Sequence, residues 1–186
     1  MEEILTLDQI VTEFVEEKEV QPFIEFLENK MKKLLSILFM AFSLNAFAET
    51  HLADVQLKDL NNQPVSLAEY KGKPVYIKMW ASWCPICLAG LAEIDDLSAA
   101  TDRHFEVLAI VSPGHKGEKS TADFIEWYKG LEYKNIKVLL DENGEIIDRT
   151  QVRGYPFNLF LDGDLNVKKT VSGHLNLEQI RTFAER

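Results

Sequence analysis

The chain has two cysteines, and only two residues separate them, in the segment Trp80–Cys87 with the sequence WASWCPIC. The β-branched and aromatic run 75–80 (VYIKMW) comes directly before the pair and predicts a buried strand. Pro85 suits the first position of a helix, because its φ is already helical. Proline lacks a backbone N–H, but an N–H at that position would have no partner within the helix. The sequence therefore predicts a strand that delivers the cysteine pair to the start of a helix.

The start of a helix gives the two cysteines different chemistry. Unpaired backbone N–H groups and the helix dipole stabilise an anion there, so we expect a lowered pKa for the Cys84 thiol. Cys84 is then the nucleophile, and Cys87, which lies inside the first turn and is less exposed, is the resolving thiol. A pair with this spacing can close a disulfide without rearranging the fold, so the predicted chemistry is reversible thiol–disulfide exchange.

Other uses of a cysteine pair fit this sequence less well. A structural disulfide stabilises a fold mainly by closing a long loop, and this loop holds two residues. A zinc site needs four ligands, and the sequence has neither a second cysteine pair nor a His-x-x-x-His pair. Covalent haem attachment needs histidine directly after the second cysteine, where Leu88 stands. We therefore expect neither a metal nor a cofactor.

The amino-terminal part of the chain differs in composition from the rest. Residues 1–30 contain nine acidic residues and two lysines, so most of the chain's net charge of −10 lies in this segment. Residues 31–48 then follow the pattern of a secretory signal, with lysines, a short apolar run and an Ala-x-Ala motif that ends at Ala48. No basic, aromatic-interleaved cluster of the kind that binds nucleic acid occurs in the sequence, so a nucleic-acid partner is not expected.

Two interpretations of this amino-terminal part fit the sequence. The apolar run of about fifteen residues is short for a membrane-spanning helix, which needs roughly twenty. We therefore expect translation to start at Met31, with residues 1–30 as an acidic extension outside the native product, and cleavage after Ala48 to release a soluble exported protein. The alternative is a cytosolic helix attached to an uncleaved membrane anchor formed by residues 34–48.

From residue 49 onward the hydrophobic pattern alternates between strands and helices. The predicted order is a hairpin (54–67), a strand (75–80), a helix (85–100), a strand (105–111), a helix (121–131), a strand (136–140), a short helix (146–152), a hairpin (157–171) and a final helix (176–185). This order predicts one α/β domain over residues 49–186, with a mixed central sheet covered by helices on both faces.

Three features of the chain are shared with a known family. They are the segment Trp80–Cys87, the dipeptide Tyr155-Pro156 directly before a strand, and Gly173 after the closing hairpin. On these features the chain resembles the thioredoxin superfamily over residues 52–185.

Further features narrow the resemblance. The hairpin before the first core strand and a helical insertion between Val111 and Lys137 are similar to the exported TlpA-like branch of the superfamily. A closer likeness, to the thioredoxin-like module found with bacterial methionine sulfoxide reductases, rests on the stretches Trp80–Leu88, Ser112–Gly114 and Asp123–Tyr133.

The resemblance implies roles for residues around the cysteine pair. Pro156 would follow a cis peptide bond and face the disulfide, and the backbone of Tyr155 would pair with a substrate chain as an added strand. The alternative for Pro156 is a trans proline at the start of an edge strand. Trp83 would cover the Cys84 side of the site, whereas Trp80 would be structural. Pro85 would shape the turn between the cysteines.

Two positions depart from the pattern of the superfamily. Thioredoxins commonly carry a buried acid on the strand before the active site, and Lys78 stands there. A cation near the thiols favours the thiolate, so Lys78 is a candidate for tuning it, while a lysine that reaches solvent or pairs with a carboxylate is the alternative. TlpA-like proteins tend to have glutamate where this chain has Gly90, and Glu93, one turn further on, is expected at the surface.

The resemblance also implies a function. Reduced Cys84 would attack an exposed disulfide of a partner, most simply an oxidised methionine sulfoxide reductase, and Cys87 would resolve the mixed disulfide. A membrane electron conduit of the CcdA or DsbD kind would then reduce the pair again. The alternatives are a thiol reductant for cytochrome c maturation, an oxidase that inserts disulfides, and a binding module gated by redox state. No role is assigned to the scattered histidines His51, His104, His115 and His174.

Overall fold

The computed structural model describes residues 25–33 and 50–185. The chain divides into two units, Met1–Ala48 and Glu49–Arg186. In the first unit, residues 25–33 form a helix with exposed side chains. Residues 34–48 of the predicted signal segment 31–48 and most of the acidic extension lie outside the described residues. Within the described ranges, no helix has both the length and the apolar character needed to cross a membrane.

The described part of the second unit contains seven strands, five α-helices and one 3-10 helix. In chain order they are β1 (Gln56–Lys58), β2 (Pro64–Ser66), the 3-10 helix (Leu67–Tyr70), β3 (Val75–Met79), α1 (Pro85–Ala89), α2 (Leu91–Ala99), β4 (Glu106–Val111), α3 (Thr121–Tyr128), β5 (Val138–Leu140), α4 (Glu145–Thr150), β6 (Phe157–Leu161), β7 (Val167–Ser172) and α5 (Leu177–Ala184). This order agrees with the predicted succession of elements, except that the predicted helix 85–100 is divided into α1 and α2 and that the 3-10 helix was not predicted. The predicted helix 121–131 ends at Tyr128, and the predicted strand 136–140 begins at Val138.

The strands form one mixed sheet in the order β2-β1-β5-β4-β3-β6-β7. Strand β3 runs parallel to β4, and β4 runs parallel to β5. The hairpins β1–β2 and β6–β7 are antiparallel, and β6 is antiparallel to β3. The predicted amino-terminal hairpin therefore forms one edge of the sheet.

Strand β3 lies near the middle of the sheet and sends side chains into cores on both faces. All five of its residues are buried. Ile77 and Met79 join a core that includes residues of α4. Tyr76 and, directly after the strand, Trp80 belong to cores on the opposite face, which α1, α2, α3 and α5 cover. Helices therefore cover both faces of the sheet, which confirms the predicted fold class.

The prediction of a single helix over residues 85–100 is wrong, because the helix is interrupted at Gly90. The helix α1 has five residues and ends at Ala89, and the nine-residue helix α2 starts at Leu91. A Cβ placed on Gly90 would lie 3.2 Å from the imidazole of His174 and 3.5 Å from Nζ of Lys78. Both neighbours come from segments distant in sequence, so the close approach at this joint depends on a residue without a side chain.

Candidate active site

Cys84 and Cys87 form a disulfide with a Cα–Cα distance of 5.2 Å. Cys84 is the N-cap of α1, and Pro85 is the first residue of that helix. The sulfur of Cys84 accepts a hydrogen bond from the backbone N–H of Cys87 at 3.3 Å. The structure thus places a first-turn N–H group of the helix against the Cys84 sulfur, an arrangement that stabilises a thiolate once the pair is reduced.

The two cysteines are buried, whereas two apolar side chains next to them are exposed. Cys84 is 3% exposed and Cys87 is fully buried, so what remains accessible of the pair belongs to Cys84. Trp83 is 50% exposed and Ile86 is 52% exposed, and within residues 50–185 they are the only large hydrophobic side chains with such exposure. Apolar surface concentrated beside a reactive group is typical of a site that binds a partner.

The chain before β6 completes the surroundings of the disulfide. The Tyr155–Pro156 peptide bond is cis, in agreement with the resemblance. The rings of Tyr155 and Trp83 lie with centroids 6.0 Å apart. The carbonyl of Pro156 accepts a hydrogen bond of 2.8 Å from the N–H of Gly173, which follows β7. The structure therefore brings Trp83 and Tyr155 together at one end of the sheet.

Trp80 has a different environment from Trp83. Its side chain is fully buried and contacts the rings of Phe124, Trp127 and Tyr128 from α3, with centroid distances of 5.7, 6.3 and 6.2 Å. These contacts join the strand that carries the cysteines to the helical insertion. They support a structural role for Trp80.

Lys78 is buried, with 1% of its surface exposed, so the alternative of a lysine that reaches solvent is wrong. Its Nζ lies under the joint between α1 and α2, 3.5 Å from the position of a Cβ on Gly90. Burial lowers the pKa of the Lys78 amine, and the charge of Glu93 partly opposes this effect. Glu93 is half-exposed and also lies 3.8 Å from His174. The expectation of Glu93 as a plain surface residue is therefore incomplete.

Glu118 is a residue of the site that the sequence did not single out. It lies in the loop between β4 and α3 and is 7% exposed. Its carboxylate accepts hydrogen bonds from the N–H of Ser82 at 2.5 Å and from the hydroxyl of Ser82 at 2.6 Å. Ser82 precedes Cys84 by two residues. A glutamate in a polar loop gives no local signal of such a contact, because its partner lies 36 positions away.

A second buried carboxylate lies at the end of β5. Asp141 accepts a hydrogen bond of 3.1 Å from the hydroxyl of Ser112 and bonds of 2.9 and 3.1 Å from the first N–H groups of α4. Burial raises the pKa of Asp141, and these hydrogen bonds oppose the rise. Burial also raises the pKa of Tyr155 to about 12, and the charges of Asp141 and Glu118 add to that effect. The tyrosine is therefore neutral at physiological pH.

The fold and the position of the cysteine pair have counterparts among known proteins. The model of the AhpC/TSA family matches residues 48–170, a span that includes the disulfide and the cis peptide bond. The chain belongs to the AhpC/TSA family, within the thioredoxin superfamily. Across the described residues, no group of three or more His, Cys, Asp or Glu side chains is arranged to hold a metal ion.

Three similar proteins illustrate the relationship of this AhpC/TSA-family chain. An uncharacterized protein of Haemophilus influenzae is 83% identical over 156 residues, which are 84% of this chain and all of the relative. The thiol-disulfide oxidoreductase ResA of Oceanobacillus iheyensis is 27% identical over 135 residues, 70% of this chain and 67% of ResA. The crystal structure of the exposed lipoprotein thioredoxin Etrx1 of Streptococcus pneumoniae has a TM-score of 0.68 and 44% identity, and the match covers 72% of this chain and 98% of Etrx1.

The site and the family together define the chemistry. The chain is a thiol–disulfide oxidoreductase of the thioredoxin superfamily, and Cys84 and Cys87 are its CxxC pair. The disulfide in the structure is the oxidised state of that pair.

Proposed function

We propose that this oxidoreductase is an exported reductant, which donates an electron pair from Cys84 and Cys87 to a disulfide of a partner protein. The observation that carries the proposal is the placement of the Cys84 sulfur at the start of α1, against the Cys87 N–H and beside exposed Trp83 and Ile86. This placement combines a stabilised thiolate with a surface for a partner. The direction of transfer is proposed from the resemblance to the TlpA-like branch.

The proposed cycle starts from the reduced pair. The Cys84 thiolate attacks one sulfur of the partner's disulfide, a mixed disulfide forms, and the other partner sulfur leaves as a thiolate that takes up a proton. Cys87 then loses its proton and attacks the Cys84 sulfur, which breaks the mixed disulfide and releases the second partner sulfur as a thiolate that also takes up a proton. The partner has gained two electrons and two protons, and the Cys84–Cys87 disulfide seen in the structure is the product.

The surface beside the disulfide supports binding of an extended partner segment. Tyr155 and Pro156 lie before β6, and we propose that the backbone of Tyr155 pairs with the segment that carries the partner's disulfide. Trp83 and Ile86 would contact apolar side chains of the same segment. Pro85, the first residue of α1, would stabilise the helical turn between the cysteines.

The proposed partners follow from the likeness to the module found with methionine sulfoxide reductases. The client is an oxidised methionine sulfoxide reductase, whose catalytic cycle ends in a disulfide. The donor that reduces the pair again is a membrane conduit of the CcdA or DsbD kind.

Lys78 is the proposed tuning residue of the pair. It lies under the joint that follows α1, and the N–H of Gly90 at this joint donates to the carbonyl of Cys87 at 3.2 Å. A charged amine at this place would favour the thiolate form of the pair by Coulomb attraction. An amine made neutral by burial would instead accept the proton of the resolving thiol. In both cases Lys78 would favour deprotonation.

Export is proposed from residues 31–48, with translation from Met31 and cleavage after Ala48. One observation supports the start site: the relative from Haemophilus influenzae is matched along its whole length over 156 residues, the number that the chain has from Met31 to Arg186. The similarity to Etrx1, an exposed lipoprotein thioredoxin, supports a location outside the cytoplasm.

Trapping tests the proposal directly. A Cys87→Ala variant, purified from cells under conditions that block free thiols, should carry its client as a mixed disulfide through Cys84, and mass spectrometry identifies that client. A Cys84→Ala variant is the matched control and should trap nothing. Recovery of a methionine sulfoxide reductase supports the proposed client, whereas recovery of cytochrome c maturation proteins would replace it.

The reduction potential tests the direction of transfer. A value near that of thioredoxin, about −270 mV, agrees with donation, whereas a value near −120 mV indicates an oxidase. Equilibration of the pair with glutathione or dithiothreitol buffers gives this value.

A further inference from the structure

The loop between β4 and α3 contacts the active-site turn at two consecutive residues. Glu118 binds the backbone and the hydroxyl of Ser82. Gly117 lies against Trp83, whose Nε1 is 3.7 Å from the position that a Cβ on Gly117 would occupy. Gly117 has a φ of +80°, a conformation that residues with side chains rarely adopt, so the loop approaches the indole with bare backbone. The loop therefore supports the turn from one side.

The contact between the loop and Ser82 uses both hydrogen-bond donors of that serine. Its N–H and its hydroxyl both donate to the Glu118 carboxylate. The hydroxyl oxygen accepts a bond of 2.6 Å from Nζ of Lys119, and the same amine lies 5.0 Å from the centre of the Trp127 ring. The backbone N–H of Lys119 donates to Glu118 at 2.7 Å, which orients the carboxylate. Ser82 is 6% exposed, so these bonds lie away from solvent.

Trp83, the next residue, needs such support more than a core residue does. Half of its side chain is exposed, so burial alone does not fix the orientation of the indole. The ring has Gly117 on one side and Tyr155 on another, with the Tyr155 ring centroid 6.0 Å away. Because the indole is exposed beside the disulfide, a partner that binds there would contact it. Holding the backbone at Ser82 therefore restricts the conformations of Trp83 before a partner binds. Binding then costs less conformational entropy.

We propose that Glu118 is a positioning residue for partner binding. By holding Ser82, it fixes the turn that presents Trp83 to the partner, and it acts on docking rather than on the sulfur chemistry of Cys84. The inference rests on the proposed function, since it requires that reduced Cys84 attacks a protein disulfide. It assigns to the helical insertion a share in recognising the partner.

The test separates docking from sulfur chemistry with two disulfides. Reduced protein, freed of reductant, is mixed with an excess of insulin or of the small aromatic disulfide dithiobis-nitrobenzoate. In each reaction the dithiol of the protein becomes its disulfide, and the disulfide of the probe becomes two thiols. The Glu118→Gln variant keeps the shape of the side chain, but one of its two polar atoms can no longer accept a hydrogen bond.

For Glu118→Gln we expect the half-saturating insulin concentration to rise by about tenfold, because one bond to a charged acceptor is lost. The limiting rate at saturating insulin and the rate with the small disulfide should stay within about twofold. Glu126→Gln is the matched control, because Glu126 belongs to the same insertion but is exposed and pairs only with Lys129 among the described residues. It should leave both reactions unchanged.

Three outcomes would overturn the inference. They are an unchanged insulin reaction in a folded Glu118→Gln variant, equal losses with both disulfides, and equal losses in the Glu126→Gln control. If Glu118→Gln does not fold, Ser82→Ala replaces it. This variant removes the hydroxyl's bond to Glu118 and its bond from Lys119, and it leaves the bond from the backbone N–H to Glu118. Failure of the unmodified protein to reduce insulin or any other protein disulfide would contradict the proposed function instead.

Discussion

At the scale of single residues, Lys78 is the most unusual group in the domain. A buried ammonium loses its hydration, and the carboxylate that opposes this loss, Glu93, is half-exposed and therefore weakly coupled. The expected consequence is a residue that lowers stability at neutral pH. A buried lysine in the middle of β3 does not help the fold, which is consistent with the tuning role proposed for it.

The Lys78→Met variant tests the effect on stability. Because burial lowers the pKa of Lys78 in the folded protein, the unfolded chain binds more protons between that value and about 10.4, and stability rises with pH across this window. The variant should be more stable at pH 7 by about 1–3 kcal/mol and should lose that rise. Urea midpoints between pH 7 and pH 10 measure both effects, and a rise of equal size in the two proteins would contradict the argument.

The same variant tests the proposed tuning of the thiols. If Lys78 favours deprotonation of the pair, its removal raises the pH at which reduction of a protein disulfide reaches half its maximal rate. A shift of about one pH unit corresponds to an interaction of about 1.4 kcal/mol. The initial rate of insulin reduction between pH 5 and pH 9 gives the profile. An unshifted profile would leave Lys78 with a role in packing alone.

The two tryptophans around the active-site turn should separate binding from folding. Trp83→Ala removes a half-exposed ring, so we expect a loss of about 1 kcal/mol in stability and about tenfold slower reduction of a protein disulfide. Trp80→Ala removes a buried ring that contacts three aromatic side chains, and we expect a loss of about 3–5 kcal/mol. Thermal melting and insulin reduction measure the two effects. Equal destabilisation by both variants would contradict the assignment.

At the scale of elements, local periodicity was sufficient to predict the strands and most α-helices of the described domain, but neither the 3-10 helix Leu67–Tyr70 nor the joint at Gly90. The apolar spacing continues through α1 and α2, so the sequence predicts one helix there. Lys78 from β3 and His174 from the segment after β7 approach Gly90 only in the folded domain, so the close contacts at this joint leave no local signal in the sequence. Glu118 was missed for the same reason, because its partner Ser82 is distant along the chain.

The helix α5 begins with a capping box, and we expect its contribution to stability to be independent of the redox site. The side chain of Asn176 accepts from the N–H of Gln179 at 2.9 Å, and the side chain of Gln179 accepts from the N–H of Asn176 at 3.1 Å. Asn176→Ala should lower stability by about 1 kcal/mol without changing disulfide reduction. Asn143→Ala, at an exposed turn position, is the control for the substitution itself. A lowered reduction rate in Asn176→Ala would show coupling between α5 and the site.

At the scale of the whole molecule, the site is assembled from three separate parts of the chain at one end of the sheet. The end of β3 brings the cysteine pair, the segment before β6 brings Tyr155 and Pro156, and the insertion brings Glu118. The sheet holds the first two parts in a fixed register, because β3 and β6 pair directly. The third part contacts the active-site turn through the hydrogen bonds between Glu118 and Ser82, so we expect a substitution at Glu118 to affect partner binding more than the fold.

The mass of the mature protein tests the proposed export. Translation from Met31 and cleavage after Ala48 predict a product of residues 49–186, lighter by two hydrogens when the disulfide is formed. Intact-mass spectrometry of the protein released from the extracytoplasmic compartment measures this. Because signal cleavage requires small residues at the Ala-x-Ala motif, Ala48→Leu should leave the segment attached, whereas Ala41→Leu, inside the apolar run, should not. A released product that retains any residue before Glu49 would contradict cleavage after Ala48. A protein that stays in the membrane fraction with residues 34–48 attached would support the membrane-anchored alternative.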